Sequence, residues 1–200
     1  MINSKRKGFS LVELMVVIAI MTILMMAAIS SFTFYYKTFA QTRLTNLQKL
    51  IEYSVIRART DGTTVIICAA ASNSFDGNGK LATGSECNGD TCFNCSDSSS
   101  WGDSAIVAFE STDGSENYNN NEDTVIANLA EGHGEHIYLN FNTGNEIEIK
   151  PNGFMVNGNG NVVYCDRDNK YQAALITNIV GRTIYTDEAT RNGTTFTCSS

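Results

Sequence analysis

One stretch limits this chain more than any other. Residues 9–29, FSLVELMVVIAIMTILMMAAI, are 21 in a row with a single charge, Glu13. As a helix rising about 1.5 Å per residue, such a run is long enough for a bilayer core about 30 Å thick. Ahead of it lies the short basic segment 1–8, whose Lys5, Arg6 and Lys7 would hold that end in the cytoplasm. A secretory signal peptide has a small-residue cleavage site after its apolar core. Here the pattern runs on into Ser30-Ser31-Phe32-Thr33-Phe34-Tyr35-Tyr36 instead. A plain membrane anchor accounts for the length and the basic flank, but not for a carboxylate so early in the apolar run. An ionisable group in hydrocarbon is costly, which makes Glu13 a functional candidate. A buried helix of a soluble core accounts for the composition, but such cores rarely use so long an uninterrupted run.

Beyond the apolar run the periodicity changes. Leu44, Leu47, Ile51, Val55 and Ala58 recur at spacings of three and four, with Arg43, Gln48, Lys49, Glu52 and Arg57 between them. The pattern predicts one helix from Phe9 to Thr60, with an apolar half (9–30) and an amphipathic half (31–60), ending near Asp61-Gly62. Residues 61–200 read as one β-rich domain. Expected strands are Thr63–Ala70, Ser104–Glu110, His136–Phe141, Glu146–Lys150, Asn161–Cys165, Gln172–Asn178 and Arg182–Thr186, short and rich in Val and Ile. Asn152-Gly153 and Asn157-Gly158-Asn159-Gly160 are hairpin-turn candidates, and Ser72–Gly84 and Asp113–Asp123 read as exposed loops. The expected class is α+β, a long helix laid on antiparallel sheet.

Charge narrows the partners. Residues 61–200 hold six Lys and Arg against 19 Asp and Glu. A field of that sign repels phosphates, so nucleic acid is not the expected partner of this domain, and solubility alone explains the bias. The basic residues of the amphipathic helix read as a solvated face.

The string Lys-Gly-Phe-Ser-Leu-Val-Glu-Leu, residues 7–14, resembles the class III signal of type IV pilins and type II secretion pseudopilins. The resemblance implies cleavage by a membrane prepilin peptidase between Gly8 and Phe9, N-methylation of Phe9, and an assembly role for Glu13. The physical logic is consistent with each piece. Removing the leader 1–8 frees an α-amino group beside the hydrocarbon, and Glu13 lies about one helical turn away. The amine of a neighbouring subunit then offers that carboxylate the opposite charge it needs.

A second resemblance covers most of the chain. Ile56-Arg57-Ala58-Arg59-Thr60-Asp61-Gly62 runs into Val65-Ile66-Ile67-Cys68. Trp101-Gly102, Phe109, Asn161-Val162-Val163-Tyr164-Cys165 and Ile179-Val180-Gly181-Arg182 follow. In this order they resemble the GspH/FimT group, whose members are low-abundance subunits at or near a filament tip. That implies a minor pilin that helps start assembly, with a secretion pseudopilin or a tip-displayed DNA- or adhesion-binding subunit as the alternatives. The implied partners are other pilin subunits, the prepilin peptidase and the inner-membrane assembly platform. The implied location is the inner membrane with the domain in the periplasm, then the pilus. Some FimT proteins bind DNA through Gly-Arg-x-Arg in the last hairpin. Here the string is Gly181-Arg182-Thr183-Ile184. The second arginine is missing, and Arg182 alone reads as structural.

Six cysteines remain: Cys68, Cys87, Cys92, Cys95, Cys165 and Cys198. Their spacing allows an iron–sulfur or zinc site, with His133 and His136 as further ligands. An exported domain favours disulfides instead, and no cofactor or metal is expected. We expect Cys165–Cys198, with the other four cysteines paired within 68–95. No nucleophile, base or calcium-hand spacing points to catalysis, so the chain is expected to be no enzyme but the substrate of one.

Overall fold

The computed structural model describes residues 10–71, 91–119, 121–169, 171–188, 190–191, 193–196 and 198, excluding the side chains of 27–33, 91–92, 191 and 194. The chain divides into two units, Met1–Thr38 and Phe39–Ser200. One helix, α1 (Leu11–Asp61), includes residues of both.

Over residues 11–26 of the first unit the side chains of α1 are exposed and, Glu13 and Thr22 apart, apolar on every side. Leu11 is 76% exposed, and the least exposed of the large apolar ones in that stretch, Val17, still 47%. A helix apolar all round calls for a second apolar medium, lipid or neighbouring helices. Among the described residues no helix is long and apolar enough to cross a membrane. The run 9–29 extends past them, since Phe9 and the side chains of 27–29 lie outside the described residues.

In the second unit α1 becomes one-sided. Ala40, Leu44, Leu47, Ile51, Val55 and Ala58 are buried, as their spacing predicts. The helix stops where Gly62 turns to φ +69° and donates its N–H to the Ala58 carbonyl at 3.1 Å, the glycine ending that an L side chain resists.

The remainder is antiparallel sheet, so the fold is α+β: a long helix packed on β-sheets. β1 (Thr64–Ala69), β4 (Ile106–Ser111), β6 (Thr124–Leu129) and β8 (Ile147–Ile149) form one sheet in the order β6-β4-β1-β8. β3 (Ser100–Gly102), β7 (His136–Phe141), β9 (Gly160–Cys165), β10 (Gln172–Thr177) and β11 (Thr183–Thr186) form a second in the order β11-β10-β9-β7-β3. Two short pairs complete it: β2 (Thr91–Asn94) with β5 (Asn117–Asn119), and β12 (Thr190–Arg191) with β13 (Thr194–Thr195).

Both sheets turn one face to α1. Val65, Ile67, Ala69, Ile106 and Ala108 of the first, and Ile137, Leu139, Val162, Tyr164, Ala173 and Leu175 of the second, share a core with the helix residues above. Because strand side chains alternate, the residues between them point to the far faces. There Ile66, Cys68, Val107 and Phe109 are covered by Phe93 and Tyr118, and Val163, Cys165 and Ala174 by Phe196.

Each of the seven expected strands has a counterpart, His136–Phe141 end to end and the others shifted by a residue or two. β2, β3, β5, β6, β12 and β13 were not expected. The first three are short and rich in Ser, Asn, Cys and Gly, and β6 is an edge strand whose largely half-buried side chains blur the alternation. Asp113–Asp123 is not simply an exposed loop, because it contains β5 and buries Tyr118 and Asp123. Tyr118 stacks on Phe93 with ring centres 4.7 Å apart, and Asp123 accepts the N–H groups of Thr112 and Asn119. Asn157–Gly160 closes no hairpin: it links β8 of one sheet to β9 of the other. Asn152-Gly153 is a tight turn, with Lys150 N–H on the Phe154 carbonyl and Gly153 at φ +77°. Ser72–Gly84 lies outside the described residues.

Candidate functional site

At the N-terminal end, Gly8 and Phe9 lie outside the described residues, and the site begins with Ser10. Ser10 is the residue before α1, and its carbonyl accepts the Leu14 N–H at 3.2 Å. Glu13 sits in the first turn, where a carboxylate offsets the helix dipole. Its Oε2 reaches back to the Ser10 N–H at 3.4 Å. Ser-x-x-Glu with that return contact is the reciprocal half of a capping box, a signal present in the sequence and overlooked there. Glu13 therefore has a local occupation in the isolated chain: it satisfies a helix-end donor. The rest of the carboxylate faces outward, where an incoming cation could reach it.

Four of the six cysteines have described side chains. Cys68 of β1 is joined to Cys95 with Cα atoms 5.5 Å apart, and Cys165 of β9 to Cys198 at 5.8 Å. Both bonds lie on the sheet faces turned away from α1. The first ties β2 with its Phe93 over one sheet, and the second ties the C-terminal tail with Phe196 over the other. The side chains of Cys87 and Cys92 lie outside the described residues. Among the described residues no group of three His, Cys, Asp or Glu side chains is placed to hold a metal ion. The structure separates the two histidines, His133 beside Phe39 and His136 beside Tyr138.

Two arginines fasten α1 to its sheets. Arg43, 11% exposed, gives Nη1 to the Ala130 carbonyl at 2.6 Å and Nη2 to the Ser104 carbonyl at 3.3 Å, with Nε 3.3 Å from Glu135. Burial pushes this guanidinium below its ordinary value, against the pull of Glu135, but it stays charged at any physiological pH. Glu135 is 2% exposed, and its other oxygen accepts the His133 N–H. One turn before the helix end, Arg57 bridges Glu110 at 2.8 Å and Asp61 at 2.7 Å. Burial, and then a hydrogen bond with Asp61, hold Glu110 above the usual carboxylate range despite Arg57. The sequence reading placed Arg43 and Arg57 on a solvated face. Arg43 is instead buried on the flank between helix and sheet, with its charge paired.

Arg182 was expected to be structural. Its backbone N–H is held by Asn178 Oδ1 at 2.9 Å, but its side chain is exposed and makes no ion pair among the described residues. A shallow groove of about 270 Å³ on the far face of the second sheet is lined by Tyr138, Asn140, Thr195 and Phe196 among others. Its lining residues carry hydroxyl and amide groups but no carboxylate, imidazole, thiol or ammonium group.

Residues 3–29 match the family described as the prokaryotic N-terminal methylation motif. The match takes in the leader, Gly8, Phe9 and Glu13 together. No curated protein is found to match the chain. Among solved structures, the type IV minor pilin FimU of Pseudomonas aeruginosa is similar over 76% of this chain and 92% of its own. At 11% identity and a TM-score of 0.48 that likeness carries no weight for function. Residues 3–29 thus carry the prokaryotic N-terminal methylation motif, and that motif leads into the long helix α1.

Proposed function

We propose that this chain is a minor pilin, cut by prepilin peptidase between Gly8 and Phe9, methylated on Phe9, and incorporated at or near the tip of a type IV pilus, where it helps start assembly. The observation that carries the reading is the methylation motif over residues 3–29 at the head of a 51-residue helix with Glu13 in its first turn. Before assembly the run 9–29 holds the chain in the inner membrane, with residues 39–200 in the periplasm. Released into the filament, the same apolar surface packs on neighbouring subunits. Glu13 exchanges its contact with the Ser10 N–H for the freed amine of an adjacent subunit, a stronger, charge-assisted partner. Tip position is supported by the internal resemblance to the GspH/FimT group, and pilus over pseudopilus by the six cysteines.

The test uses a strain lacking the chain. Surface pili should fall sharply while the major subunit stays at its normal level, and label against this chain should sit at filament ends. Glu13→Ala should be processed normally and yet be absent from sheared filaments. Normal pili with a defect in protein secretion would assign the chain to a secretion pseudopilus instead.

A further inference from the structure

The second unit hides its core well, yet leaves a group of large apolar side chains in the open. Ile56 of α1 is 61% exposed, Val156 50%, Ile179 46%, Phe154 43% and Val180 39%. They belong to three segments that touch. Met155 donates its N–H to the Ile179 carbonyl at 2.8 Å, joining the 150–158 turns to the β10–β11 turn. Gly181 lies so close to α1 that a Cβ there would collide with Val55. Gln48 of the same helix reaches the Thr183 carbonyl. Ile56 and Arg59 lie on the flank of α1 that faces these turns, since Gly153 abuts the Arg59 side chain.

The exposed side chains sit on turns that are held firmly. Asn178 Oδ1 accepts the N–H of Val180 and of Arg182, and Asn159 Oδ1 accepts that of Ile179. Asn152 Oδ1 accepts the N–H of Phe154, and Gly181 turns the chain at φ +74°. Side-chain amides are thus spent on fixing a loop whose outward residues give the fold nothing. That is the arrangement expected of a preorganised contact surface.

Charge supplies the occupant. Within a unit, residues 39–200, of ten basic and 20 acidic residues, this patch is edged by exposed Arg59 and Arg182, neither ion-paired among the described residues. A surface apolar at its centre and positive at its edge, on an otherwise acidic molecule, selects an acidic partner over a neutral or basic one. We propose that Ile56, Phe154, Val156, Ile179 and Val180, flanked by Arg59 and Arg182, dock the acidic globular face of a neighbouring pilin-like subunit. This rests on the minor-pilin reading and adds to it the surface through which the domain recruits the next subunit.

The test places a photo-reactive amino acid at Val180 in the full chain, in piliated cells. Cross-links should join this chain to a second protein that carries its own N-terminal methylation motif, identified by mass. In parallel, Ile56→Asp with Val180→Asp should lower surface pili about tenfold, the cost typical of losing interface anchors. Chain level and processing should stay unchanged. Arg59→Glu with Arg182→Glu should act the same way, and the Lys pair should not. Cross-links only to lipid, nucleic acid or unrelated proteins, or none at all, would overturn the surface. So would normal pili in the double Asp variant when the strain lacking the chain is bald, an outcome that spares the minor-pilin reading. Normal pili in the strain lacking the chain would instead sink that reading itself.

Discussion

Arg43 shows how much can rest on one side chain. Its guanidinium ties α1 to Ala130, Ser104 and Glu135, and Glu135 is almost wholly enclosed. Removing the arginine strands a buried carboxylate, so Arg43→Ala should destabilise the 39–200 fragment by about 3 kcal/mol. The shift of its urea midpoint measures this. Glu146 is a different case. Burial, and next the charge of Glu116, raise its carboxyl above the usual range. A group raised in the folded state costs stability wherever it is ionised, and the cost fades as pH falls through its folded value. Glu146→Gln should therefore raise the urea midpoint at neutral pH, with the advantage shrinking as the medium is acidified. An advantage that grew on acidification would contradict the assignment. At this scale the sequence was only partly legible. Glu13 stood out because a charge within an apolar run has few explanations. Arg43 did not, because a basic residue between apolar helix positions looks solvated until the loop that encloses it is known.

Among elements, α1 was the most legible. Its apolar spacing from Leu44 to Ala58 and the Asp61-Gly62 stop follow from helix geometry alone. The strands that α1 covers were legible too, since they concentrate Val and Ile. What escaped were β2, β5 and β6, the edges and covers whose side chains are polar, aromatic or half-buried. Their place is set by long-range contacts such as Tyr118 on Phe93, which no local pattern records. The C-terminal tail is an extreme case. Among the described residues beyond β13 it offers one buried side chain, Phe196, and the bond from Cys198 to Cys165. With the partners 33 positions apart in the sequence, that bond should contribute about 4 kcal/mol by restricting the unfolded chain. Cys198→Ser with Cys165→Ser should lower the urea midpoint accordingly. It should also expose Val163 and Ala174 to an apolar dye, which Cys68→Ser with Cys95→Ser would not do at that face.

For the molecule as a whole, the two units obey different solvents. Residues 39–200 bury a core and show water an acidic surface, while the described start of α1 offers apolar side chains all round. Such a chain is stable only if something apolar takes up that helix; in the function proposed here that is first lipid and then other subunits, with a cut after Gly8 separating the two. The intact mass of the chain, taken from membranes without reductant, tests this directly in strains with and without the prepilin peptidase. The account predicts that the peptidase strain yields a chain lacking residues 1–8, one methyl heavier, and six hydrogens lighter for three disulfides among its six cysteines. The same unprocessed mass in both strains would contradict it and leave a membrane-bound domain with no route into a filament.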